Sequence, residues 1–135
     1  MTQLKAFLAG FLSTLVFHQG LLALLHAAGA TPRRAFSMER VPPFAVPQVL
    51  SLAFWGGVWG ILLWLAIASA APRRRLLLAL VIGAIAPTVV ALLVVFPLKG
   101  LPLGGGWKPD VVVGALLLNG AWGVGVVLLM RLFRH

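Results

Sequence analysis

The sequence predicts an all-α membrane protein: a single transmembrane domain over residues 1–135 with four transmembrane helices in an antiparallel bundle. Three observations carry that prediction. Hydrophobic residues make up 61% of the chain and charged residues 10%, where soluble domains run near half apolar and a quarter charged. Four long apolar runs without a charged residue follow one another. The basic residues gather between and beyond those runs in groups of one to three. Eleven Lys and Arg with two Asp and Glu are too few to cover the surface of a soluble domain of this size. That argues against a soluble globular enzyme, and the hydrophobic content argues against a disordered chain.

The first run extends from Ala6 to Ala28. A secretory signal is an alternative to weigh, given Lys5 before the run and Ala28-Gly29-Ala30 after it. Signal cores are shorter, about 7–15 residues, and this run contains His18 and Gln19, so a retained membrane helix is expected. The second run spans Val46 to Ala71, the third Leu76 to Phe96 and the fourth Val111 to Met130. Each reaches the length of about 20 residues that a helix needs to cross a bilayer. None alternates with period two, as a half-buried strand or a barrel wall would. A helix, which satisfies its own backbone, is the remaining way to cross lipid.

The connections differ in kind. Ala71-Pro72-Arg73-Arg74-Arg75 is expected to be a tight turn. Thr31–Pro47 holds Pro32, Pro42, Pro43 and Pro47, and Pro97–Pro109 holds Pro102 and the run Gly104-Gly105-Gly106. Both read as irregular, with the glycine run giving flexibility. The two longer loops then share one side of the membrane, opposite the Arg triplet. Positively charged short loops favour the cytoplasm. The triplet therefore predicts a multi-pass protein of the bacterial cytoplasmic (inner) membrane with both termini in the cytoplasm. Glu39 and Asp110 fall on the far side.

The net charge of +9 would point to nucleic acid in a soluble chain. Here the cations are scattered among apolar runs and form no extended basic surface, so the lipid bilayer is the expected partner and nucleic acid is not. The chain has no Cys, which excludes disulfides and thiolate chemistry.

Gly57-Val58-Trp59-Gly60 recurs as Gly120-Ala121-Trp122-Gly123. Either two tandem helix hairpins repeat about an axis along the membrane normal, or small residues and Trp recur by chance. Small residues also mark where helices approach closely in lipid. Gly56 and Gly60 form such a step on the second run, Ala6, Gly10 and Thr14 on the first, Ala79 and Gly83 on the third, and Ala115, Asn119 and Gly123 on the fourth. Gly10, Gly56, Gly60, Gly83 and Gly123 are the predicted packing positions. They serve a compact bundle, a homo-oligomer or contact with another membrane subunit.

His18 extends the Ala6, Gly10, Thr14 stripe by one further four-residue step. At 1.5 Å per residue it lies about 18 Å from the start of its run. Counting in from the same side reaches Trp59, Thr88 and Asn119 at a similar depth. His18, Gln19, Trp59, Thr88 and Asn119 are thus a candidate midplane polar cluster. Polar groups at that depth are costly and often functional, but they also serve as interhelical hydrogen-bond glue. His18 and His26 stand about two turns apart on one helix and cannot share a small ion. No other run offers His or Met at mid-depth as a second haem ligand. No catalytic residue, metal or cofactor is therefore expected. No run holds Asp, Glu, Lys or Arg as a proton relay, and no nucleophile stands beside a base.

At Phe96-Pro97-Leu98-Lys99-Gly100-Leu101-Pro102, with Trp107 and the ending Met130-Arg131-Leu132-Phe133, the chain resembles the C-terminal half of YagU-type bacterial inner-membrane proteins. The resemblance covers about a quarter of the chain. It implies an inner-membrane location and supplies no catalytic residue. Val16-Phe17-His18-Gln19-Gly20 has no counterpart in it. The functional expectation is a non-enzymatic structural or accessory membrane protein. The alternative is a homo-oligomeric transporter or channel for a small solute or ion, built around the polar cluster.

Overall fold

The computed structural model describes residues 1–41 and 44–134. Pro42 and Pro43 of the predicted first loop, and His135, lie outside the described residues. Four helices are long and apolar enough to cross a membrane: α1 Thr2–Ala27, α2 Gln48–Ile67, α3 Pro72–Leu98 and α4 Pro109–Leu132. They coincide with the four predicted runs but differ at the ends, and the differences have local causes.

α3 begins at Pro72 rather than Leu76. Proline suits the first helical position because its missing N–H would be unpaired there anyway. Arg73, Arg74 and Arg75 therefore form the first turn of a helix and not a connecting turn. α2 stops at Ile67 rather than Ala71, and Arg75 closes that end. Its Nη2 donates to the carbonyls of Ala68 at 2.7 Å and Ala70 at 3.0 Å, two acceptors that a helix end leaves open. The same guanidinium sits 5.0 Å from the centre of the Trp64 ring, within cation–π range.

The loops are more ordered than their composition predicts. Arg40–Val41 (β1) pairs antiparallel with Val46–Pro47 (β2), placing Arg40 opposite Pro47. The first two amides of α2, Gln48 and Val49, donate to the carbonyls of Glu39 and Ser37. The Pro-rich loop thus caps the helix that follows it. In the second long loop, Gly104, Gly105 and Gly106 all take left-handed backbone angles, φ +62, +63 and +73. A Cβ at Gly104 would come to 2.5 Å from the Trp107 ring. The glycines therefore allow a tight turn folded under Trp107, and the predicted flexible run is a defined structure.

Packing explains the bundle. A methyl on Gly10 would overlap the Gly56 carbonyl and reach 2.9 Å from Gly60 Cα, and one on Gly60 would reach 2.5 Å from the Ala6 carbonyl. The α1–α2 hairpin is thus crossed backbone on backbone. The α3–α4 hairpin repeats the arrangement. A methyl on Gly83 would reach 2.9 Å from Gly123 Cα and 3.2 Å from the Asn119 carbonyl, and one on Gly123 would overlap the Ala79 carbonyl. Ala6, Gly10, Gly56 and Gly60 of the first hairpin correspond in role to Ala79, Gly83, Asn119 and Gly123 of the second. The recurring Gly-x-Trp-Gly segments occupy equivalent places.

The hairpins join through their inner helices, giving the spatial order α2, α1, α4, α3. Trp122 Nε1 donates to the Gly10 carbonyl at 3.1 Å, and Ser13 Oγ donates to the Trp122 carbonyl at 2.6 Å. Leu63, Trp64, Ile67, Trp122, Val126 and Met130 belong to the buried core. It lies in the half of the bundle near the termini. Arg131 Nη2 reaches the Pro72 carbonyl at 3.4 Å, which sets the end of α4 beside the start of α3.

Candidate functional site

The interior polar residues are arranged by two irregularities in the helices. The first is a wide turn in α1 over Thr14–His18, where the Gln19 amide bonds to the Thr14 carbonyl five residues back. Such a turn inserts one residue into the helical register. The small-residue stripe Ala6, Gly10, Thr14 therefore continues at Gln19 and not at His18. Gln19 is 2% exposed, whereas His18 is only half-buried. The second irregularity is Pro87 inside α3, followed by another wide turn over Ala91–Val95. Proline has no N–H to give, so the Gly83 carbonyl loses its helical donor.

The five residues expected at one level do not meet as one cluster. The hydrogen bonds show which of them meet.

Two pairs result. Asn119 Nδ2 donates to Thr88 Oγ1 at 2.9 Å, tying α4 to α3. Thr88 is 3% exposed. Gln19 Nε2 donates to His18 Nδ1 at 3.0 Å, and Gln19 Oε1 accepts the Phe36 amide at 2.7 Å. This second pair ties α1 to the first loop. Among the described residues no hydrogen bond joins one pair to the other. Trp59 stands apart from both. It lines a cavity of about 70 Å³ between α2 and α3, together with Leu63, Ile82, Gly83, Pro87 and Trp122. Among the described residues the Trp59 indole makes no hydrogen bond that would match the one from Trp122 to Gly10.

Two further polar contacts at the α1–α4 seam were not singled out from sequence, those of Ser13 and of the Trp122 indole. A sequence signal existed for each. Ser13 adjoins the small-residue stripe, and Trp122 lies in the recurring segment. Thr14 Oγ1 turns back to the Gly10 carbonyl at 2.9 Å, a local bond that leaves its face free to pack on Gly56. His26, at the loop end of α1, bonds through Nδ1 to the Thr31 carbonyl at 3.0 Å and fastens the start of the loop.

Among the described residues, one buried side-chain nitrogen or oxygen lacks a partner, Arg75 Nε at the turn end. The other buried side-chain nitrogens and oxygens among the described residues are paired within the chain. In a site without water, that pairing avoids the cost of several kcal/mol that an unmet polar group carries. Comparison with family models, with curated proteins and with solved structures gives no match for this chain.

Proposed function

We propose that this polytopic membrane protein is a structural or accessory component of the bacterial cytoplasmic membrane, without enzymatic activity of its own. The observation that supports this reading most is the internal pairing of its buried polar groups. Asn119 with Thr88, Gln19 with His18 and Phe36, and Ser13 with Trp122 spend their hydrogen bonds on joining helices and loop. A transport site needs polar groups that can exchange partners with a solute. The expected partners are lipid and another membrane subunit, either a second copy or a different chain. The resemblance to YagU-type proteins at Phe96–Pro102 points to the same membrane.

The proposed orientation has both termini in the cytoplasm. Lys5, Arg73, Arg74, Arg75, Arg131 and Arg134 lie at the terminal end of the bundle with no acidic side chain among the described residues. Arg33, Arg34, Arg40, Lys99 and Lys108 share the loop end with Glu39 and Asp110. Lys and Arg are thus nearly balanced between the two ends. The support for this orientation is the Arg73–Arg75 triplet in the shortest connection, where the positive-inside bias acts most strongly.

The test is reconstitution of the pure chain into liposomes loaded with ions or small solutes. The proposal expects flux no greater than that of empty vesicles. Saturable flux that Asn119→Leu abolishes would overturn it in favour of a homo-oligomeric transporter or channel.

A further inference from the structure

A half-open pocket of about 400 Å³ lies at the loop end between α1, α2 and the first loop. Its volume falls within the range of small-molecule sites. Arg33, Arg34, Ser37 and Gln48 supply its polar side, and Leu22 and Leu52 its apolar side. Leu22 and Leu52 lie in the membrane-spanning helices, one about five residues from the end of α1 and the other four from the start of α2. The pocket therefore runs from the aqueous boundary down into the apolar zone.

Its roof is built and not incidental. Gln19, buried in the pocket wall, holds the Phe36 amide. Ser37 and Glu39 bind the first amides of α2. Phe36 has φ +57, a left-handed backbone that is uncommon for a bulky side chain and persists where its surroundings fix it. The segment Arg33–Ser37 is thus held over the pocket by both neighbouring helices. Arg33 and Arg34 are exposed, and among the described residues neither guanidinium makes a hydrogen bond or ion pair.

We propose that this pocket binds the phosphate of an anionic amphiphile, with the phosphate held by Arg33 and Arg34 and the apolar part lying against Leu22 and Leu52. Arginine matches phosphate oxygens through paired N–H donors, and basic pockets between membrane helices suit anionic headgroups. The site goes beyond the accessory role and holds for either orientation of the chain. The phosphate could be that of a membrane phospholipid or of a soluble phosphate compound, and the test separates them.

The full chain in an uncharged detergent is titrated with short-chain phosphatidylglycerol, with phosphatidylcholine of equal chain length, and with inorganic phosphate, reading bound ligand by native mass spectrometry. Phosphatidylglycerol is expected to bind saturably. Arg33→Gln with Arg34→Gln should weaken it by about tenfold or more, the loss of one or two charge-assisted hydrogen bonds. Both side chains are exposed, so the fold should tolerate the change. Arg73→Gln with Arg74→Gln, at the opposite end, should leave that binding within about twofold, since those charges lie beyond the screening length. Gln19→Leu keeps both arginines but frees the roof, and should also weaken binding. Displacement of phosphatidylglycerol by inorganic phosphate at matched concentration would keep the phosphate site and assign it to a soluble ligand. Equal losses from the two arginine pairs, equal binding of the two lipids, or full binding by the Gln19→Leu chain would overturn the proposal.

Discussion

Gly10→Ala adds one methyl group at the most crowded point of the α1–α2 crossing. That methyl would overlap the Gly56 carbonyl and stand 2.9 Å from Gly60 Cα. Both neighbours are backbone atoms, so no side chain can rotate away. Carbon–oxygen contacts of this kind settle at about 3.3–3.6 Å, and relief requires the helices to part by roughly 1 Å. A gap of that size forfeits up to about half of the dispersion energy of each contact along the crossing. In lipid no hydrophobic drive compensates, because packing itself holds the helices together. Overpacking costs about 1–3 kcal/mol where a core can adjust, and the rigid partners here place Gly10→Ala near 3 kcal/mol. Gly20→Ala is the control on the same helix, where an added Cβ meets nothing within 4 Å. It should be neutral or stabilising by up to about 1 kcal/mol from helix propensity. Unfolding in mixed detergent micelles, followed by Trp fluorescence, measures both. Equal stabilities for the two variants would refute the close crossing.

The equivalence of the hairpins predicts that Gly83→Ala is destabilising like Gly10→Ala, because its methyl meets Gly123 Cα and the Asn119 carbonyl. The same micelle titration should show a loss of about 1–3 kcal/mol, whereas Gly114→Ala, with open space around it, should show none. Asn119→Leu and Thr88→Val should each cost about 0.6 kcal/mol and at most about 1.7, with the double variant costing less than their sum; strict additivity would mean the bond at 2.9 Å contributes nothing. Because the chain has no cysteine, Ser37→Cys and Arg74→Cys are clean topology probes. A membrane-impermeant maleimide on intact cells should label the first and spare the second, and the reverse pattern would invert the orientation.

The four spans were legible because charge is confined to their ends, and a membrane helix cannot conceal a charged residue at low cost. Their limits were less legible. Pro72 ends an apolar run when read as a helix breaker, yet it starts α3 in the fold. The stop of α2 depends on Arg75, a residue of the next helix. The glycine positions could be read because only residues without a side chain let two backbones touch. Which stripe meets which could not, since each helix carries one. The polar cluster is the most instructive difference. Thr14-Leu15-Val16-Phe17-His18 has no local signature of a wide turn, and one inserted residue moves the stripe from His18 to Gln19. Thr88 and Asn119 were foreseen together and do bond, while His18 pairs with its neighbour Gln19 instead. The order within the Pro-rich loop was hidden because it arises from bonds to Gln19, Gln48 and Val49, which are distant in composition from a turn motif.

Thiol crosslinking in native membranes tests most directly whether the interior polar groups are paired as helix-joining contacts or gathered into one midplane site. Thr88→Cys with Asn119→Cys replaces two side chains that share a hydrogen bond, and His18→Cys with Asn119→Cys samples the single-site arrangement. With a short bifunctional thiol reagent, the first pair should crosslink readily within one chain and the second should remain free. Efficient crosslinking of the His18 and Asn119 positions, at a rate equal to or above that of the Thr88 and Asn119 pair, would contradict the account.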